Sequence, residues 1–173
     1  MILFYRLARA GDAPLSAAPP DLSVRSWCPE EGPPPRSPFW RENMIWWGIH
    51  AAGLFSRGGF VEVAIWDGNA MLHRLVVTPR WYRFPFMARE DLQIGGLWTS
   101  PATRGRGLAR IGVREAVRRA GGGCAIWYVT DAGNRASGAL AEACGFRLAA
   151  VGERSRPLGL RALGRFRITA EIP

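Results

Sequence analysis

Lysine is absent from this chain. All 23 basic residues are arginine, set against 14 acidic ones for a formal net charge of +9. Two causes stay open. One is a coding bias toward arginine, alanine, glycine and proline, of the kind a GC-rich genome imposes; the other is an anionic partner such as nucleic acid, a polyphosphate or an acidic saccharide. The arginines are dispersed and no zinc-finger, RRM or homeodomain pattern occurs, which argues against a nucleic-acid-binding protein. Cysteine is scarce. Cys28, Cys124 and Cys144 make an odd number without CxxC spacing, so a disulfide framework or a metal site is not expected and a reduced, cytoplasmic setting fits. Long apolar runs are missing as well: nothing approaches a membrane span, and Met1 to Tyr5 is too short for a signal peptide.

What is present points to one globular domain over residues 1–173, with 48% hydrophobic residues to build a core. Residues 11–38, with Pro19-Pro20 and Pro33-Pro34-Pro35, read as loop with a short strand near Leu22–Trp27. Residues 39–55 are helix-compatible and rich in tryptophan. Phe60–Trp66 and Ala70–Thr78 read as a hairpin around Asp67-Gly68-Asn69. A loop from Pro79 to about Glu90 carries Trp81, Tyr82, Phe84 and Phe86. A strand at Leu92–Ser100, a helix from Gly105 to Arg119, a buried strand at Cys124–Thr130 and a helix at Ala136–Cys144 follow, with Gly145 as C-cap. The tail, 146–173, alternates enough for two closing strands.

The most informative stretch is Arg104-Gly105-Arg106-Gly107-Leu108-Ala109, which opens the first of these two helices directly after a strand. N–H groups at a helix N-terminus are unpaired and the dipole is positive there, so phosphate oxygens are accepted without a side-chain code. Glycine at 105 and 107 lets a ligand approach the main chain. Glycine pairs also occur in tight connections that bind nothing, so the turn alone leaves both readings open. Arg106, Arg110, Arg114 and Arg118 recur along one helix face, a solvated stripe or a phosphate contact.

Arg104, Gly107 and Ala109 satisfy the pattern Gln/Arg-x-x-Gly-x-Gly/Ala, and Asn134, Ser137, Gly145 and Phe146 keep the spacing of Asn-x-x-Ala/Ser followed by Gly-Phe. With both motifs in order around one buried strand, residues 60–150 resemble the GNAT N-acetyltransferase superfamily. The resemblance implies an α+β fold: a mixed, mostly antiparallel twisted sheet flanked by helices, whose central parallel strands, Leu92–Ser100 and Cys124–Thr130, splay apart. It implies acetyl-coenzyme A as acyl donor and a small-molecule amine as acceptor. It divides the chain into a variable acceptor-side region (1–59), a cofactor-binding core (60–150) and closing strands (151–173), and it is compatible with a homodimer. Main-chain groups from Gly105 through Leu108 to Ala109 would meet the pyrophosphate, with Arg104 and Arg106 beside it. Asn134 and Ser137 would flank the pantetheine arm, and the N–H near Thr99 would donate to the acyl oxygen.

Catalytic residues are less legible. The tyrosine this family often carries seven positions after the motif asparagine is Ala141 here, leaving Tyr128 or Tyr82 as the general acid, or water alone. Gln93 stands where some relatives have glutamate and cannot usefully accept a proton. Asp91, Glu62 and His73 remain as bases, His73 for its ordinary pKa and Asp91 because it shares Gln93's side of the strand. These departures also admit a non-catalytic acyl-coenzyme A-binding module. Rings of the 79–90 loop would line the acceptor pocket, and Arg80, Arg83 and Arg89 would suit an acidic acceptor, an amino sugar or a nucleotide-linked sugar.

Overall fold

The structure is a computed structural model and describes residues 1–8, 19, 21–155, 157–159 and 164–173. The loop assignment for 11–18 and 20 lies outside the described residues. The first strand, β1 (Ile2–Leu7), is one the sequence reading omits. Its apolar residues are strand formers, but they pair only with segments more than a hundred positions away, so no local signal marks them. The remaining elements are β2 (Ser23–Trp27), α1 (Trp40–Ala51), β3 (Val61–Asp67), β4 (Ala70–Pro79), β5 (Leu92–Thr99), α2 (Leu108–Ala120), β6 (Ile126–Asp131), α3 (Arg135–Ala143), β7 (Arg147–Arg154) and β8 (Phe166–Glu171).

Eight strands form one sheet in the order β2-β3-β4-β5-β6-β1-β7-β8. Every pairing among them is antiparallel except β5 with β6. Gly68, at φ +53°, turns the β3–β4 hairpin. On one face lie α2, over β3, β4 and β5, and α3, over β6 and β7. Leu108, Gly112, Val113, Ala116 and Val117 repeat at helical spacing and are the buried side of α2. Val113, Ala116 and Val117 join Leu75, Ile94, Ile126, Tyr128, Ala141 and Phe146 in the main core, and Leu108 packs with Leu22, Ile65 and Leu72.

The opposite face is covered by α1 and by the segment between β4 and β5. Trp81, Phe84 and Met87 are buried against Phe4, Trp127 and Ala150. The expectation that this loop's rings line a pocket is therefore corrected: most of them seal the sheet, because its long exposed side would otherwise present bare apolar surface to water. Trp81 and Tyr82 border a separate cleft of about 320 Å³. Arg80 borders that second cleft as well, together with Arg165. Arg80 donates to the Pro85 carbonyl, and Arg83 stacks between Trp81 and Phe166. Trp46 packs on Phe55, Phe60 and Trp81, as core filling requires, but Trp40 and Ile45 stay exposed.

Candidate active site

The site begins where β5 and β6 part. They pair only at Leu92–Ile126, Gln93–Trp127 and Ile94–Tyr128. Beyond Ile94, β5 still pairs with β4 as far as Thr99, and β6 with β1 as far as Asp131. The facing edges of the two central strands are thus left with unpaired N–H and C=O groups, a wedge into which an extended ligand can hydrogen-bond as an added strand. The register of β4 against β5 shifts by one between Arg74 and Val76, and Gly96 at φ +61° absorbs the extra residue. A bulge of this kind bends the strand away from its neighbour.

A cleft of about 570 Å³ fills the wedge. Pro101 ends β5 in a short 3-10 turn, and the chain then makes the glycine turn. Gly105 and Gly107 hold φ +79° and +78°, and a Cβ on either would meet no protein atom within 4 Å. The glycines thus serve backbone conformation and leave open space, not internal packing. No N–H from Gly105 to Ala109 donates to a described backbone carbonyl; the first α2 bonds run from Arg110 and Ile111 to Gly107 O. Of these residues Gly105, Gly107, Leu108 and Ala109 line the cleft.

Of the residues named from sequence, Thr99, Arg104, Gly105, Gly107, Leu108, Ala109, Tyr128, Asn134 and Ser137 all line this one cleft. Arg106 is exposed and does not. Of the arginine stripe Arg110 lines the cleft, whereas Arg118 is held by Glu115 at 2.7 and 2.8 Å. Asn134 caps α3, its Oδ1 accepting from Ser137 N. The Tyr128 hydroxyl sits 2.8 Å from Ser137 Oγ, and burial raises its pKa above the ordinary tyrosine value. Ala141 is fully buried in the same core cluster as the Tyr128 ring.

The base candidates go elsewhere. Asp91 stands before β5 at the end opposite Thr99, about 26 Å away at ~3.3 Å per residue. It accepts from Ala88 N at 3.0 Å, Ala125 N at 3.3 Å and the Trp127 indole at 2.8 Å, and it tethers the segment before β6. His73 is wholly buried under α2. Its Nδ1 is 2.8 Å from Thr99 Oγ1, and burial pushes its pKa down to about 4, so it is neutral near pH 7 and faces the helix. Gln93 lies beside Gly95 at the wedge apex, but its Oε1 accepts from Thr78 and its Nε2 donates to the Ile94 carbonyl.

Glu62, the remaining candidate base, is buried. Its Oε1 accepts from Arg74 Nε at 2.8 Å and its Oε2 from Asn43 at 2.8 Å. Arg74 is itself buried and completes the network through Glu42 at 3.0 Å and Asn43 Oδ1 at 3.2 Å, with Phe39 under its guanidinium at 4.4 Å. Sequence reasoning misses this cluster because nothing local distinguishes Arg74 from the other arginines. Among the described residues no group of acidic, histidine and cysteine side chains could hold a metal, and no helix is long and apolar enough to cross a membrane.

A profile of the Acetyltransferase (GNAT) family matches residues 22–146, and the chain belongs to that family. A search of curated proteins gave no significant match. Among solved structures it is similar to a GCN5-related N-acetyltransferase from Kribbella flavida, at 15% identity over 84% of this chain and 53% of that one with a TM-score of 0.50. A tandem GNAT protein from the clavulanic acid biosynthesis pathway gives 12% identity, 85% and 50% coverage, and a TM-score of 0.57. A GNAT-family protein from Novosphingobium aromaticivorans gives 18%, 86% and 60%, and 0.50. The chain spans between a half and three-fifths of these structures' lengths, and at such identities the likeness is one of fold.

Proposed function

We propose that this chain transfers an acetyl group from acetyl-coenzyme A to the amine of a small molecule by direct attack. The observation that carries this reading is the coincidence, in one cleft, of unpaired strand edges with a glycine turn whose N–H groups are free. Strand edges suit the amide-rich pantetheine arm; the turn suits a pyrophosphate. When bound, acetyl-coenzyme A supplies an electrophilic thioester.

The N–H groups from Gly105 to Ala109 hold the pyrophosphate, with Arg104 and Arg110 at its flanks. Asn134 and Ser137 border the arm. The main-chain N–H near Thr99 donates to the acyl oxygen as negative charge grows there; one such donor is worth about 3 kcal/mol in other enzymes. Tyr128, kept protonated by burial, donates from its hydroxyl to the leaving sulfur and is resupplied through Ser137. In this reading the acid that Ala141 does not provide stands on β6. Three unpaired cysteines are in keeping with a cytoplasmic setting, and residues 1–173 act as one acyltransferase unit.

The test has two arms. Acetyl-coenzyme A at 100 times its dissociation constant should stabilise the protein by about 2.7 kcal/mol, and thiol release should appear on a panel of primary amines, amino sugars and aminoglycosides. No stabilisation would overturn the cleft assignment. Stabilisation without thiol release on any acceptor would instead favour a non-catalytic acyl-coenzyme A-binding module.

A further inference from the structure

Resting on the acyl-transfer reading above, we propose that Glu42 is the proton acceptor of this enzyme, that Arg74 positions it, and that the acceptor is therefore an amine that arrives as a cation. Four observations converge. First, Glu42 stands in the opening turn of α1, on the sheet face away from α2. There its Oε1 lies 3.8 Å from where a Cβ would project at Gly96. Gly96 is the bulged residue just past the last β5–β6 pair, so this carboxylate overhangs the apex of the wedge from the side opposite the glycine turn.

Second, among the described residues one of its oxygens has a hydrogen-bond partner: Oε2 accepts from Arg74 Nη1 at 3.0 Å. Arg74 is 1% exposed while the Glu42 side chain is 42% exposed. A buried guanidinium locked by Glu62, Asn43 and the Phe39 ring is a rigid anchor, and the carboxylate it holds stays open to solvent beside Gly96.

Third, every other candidate is spent. Asp91 is saturated by three N–H donors at the far end of β5. Glu62 accepts from both Arg74 and Asn43. His73 faces α2, and the amide of Gln93 holds no useful basicity. Fourth, the carboxylate is linked to the cleft wall: Phe39 lies under the guanidinium that holds Glu42 and meets Trp98, which lines the cleft, edge-on at 5.1 Å. Among the described residues Arg74 from β4 bonds Glu42 and also holds Glu62 from β3; β5 carries no charged residue.

The step balances as follows. Glu42 Oε1 takes one proton from the acceptor's ammonium and frees the nitrogen lone pair. The nitrogen bonds to the acyl carbon and the C–S bond breaks. Tyr128 Oη delivers a proton to the sulfur and the nitrogen's second proton goes to solvent; Glu42 then gives its proton to solvent while Tyr128 takes one back through Ser137, so the net products are an amide, a thiol and one released proton.

The experiment compares wild type with Glu42→Gln and Glu42→Asp, using acetyl-coenzyme A with spermidine, neamine, glucosamine and phenethylamine. Glutamine can still accept from Arg74, so Tm and calorimetric affinity for coenzyme A should match wild type. Its kcat should fall at least 100-fold, and the acid limb of the kcat/KM profile should flatten; Glu42→Asp should recover part of the rate. Glu42→Gln turning over at the wild-type rate with an unchanged pH profile would overturn the proposal while leaving acyl transfer standing. A fall in Tm or coenzyme A affinity that accounts for the whole rate loss would reduce Glu42 to a structural role and overturn it too. Wild type inert on all four amines but active on anionic amino sugars would refute the cationic acceptor, and inertness on every amine would remove the reading on which it rests.

Discussion

Gly112 offers a sharp test of how the helix above the sheet is coupled to the cleft. It is a glycine in the interior of α2, where alanine would ordinarily stabilise by about 1 kcal/mol. Here a Cβ would fall 2.5 Å from His73 Nε2, 2.6 Å from its Cδ2 and 3.4 Å from Leu75 Cδ2. The imidazole has no room to retreat: it is wholly buried and its Nδ1 is engaged by Thr99. Overpacking of this kind costs about 1–3 kcal/mol, and losing the Thr99 bond adds about 1 kcal/mol. Against the helix gain, Gly112→Ala should destabilise by about 2 kcal/mol. For a chain of this size that lowers Tm by about 4–8 °C, measured by calorimetry at constant scan rate. In a His73→Ala background the same substitution should be neutral or stabilising, giving a coupling of about 2 kcal/mol in the double-mutant cycle. Because Thr99 lines the cleft, acetyl-coenzyme A affinity should fall in the single variant. Equal destabilisation in both backgrounds, or none in either, would refute the steric account.

Gly107→Trp should weaken acetyl-coenzyme A binding more than tenfold by calorimetry, because a side chain there enters the open cleft lip, and φ +78° adds about 1–2 kcal/mol of backbone strain. Tyr128→Phe should lower kcat while leaving coenzyme A affinity within about twofold; an unchanged kcat would move the acid to Tyr82 or water. His73, with its pKa pushed down to about 4, stays neutral when folded, whereas the unfolded chain takes up a proton below about 6.5. Its contribution is therefore full above pH 6.5 and is lost progressively toward pH 4, by roughly 3 kcal/mol. Urea midpoints followed over that range should fall more steeply for wild type than for His73→Ala.

Spacing and periodicity along the chain were enough to define the hairpin, the central strand pair, both helices after the glycine turn and the two closing strands, because each rests on near neighbours: a turn residue, a cap, an apolar repeat. The same locality explains why Gly105, Gly107, Asn134 and Ser137 could be named as one cleft, since a helix N-terminus carries its donors wherever it is placed. Tertiary structure alone decided the rest. β1 has its partners at the other end of the chain, and the aromatic loop became a lid on the sheet once the area needing cover was set. Which carboxylates are spent and which stays free depends on where Arg74 is buried, for the availability of a charge is fixed by the groups folding brings around it and not by its neighbours in sequence.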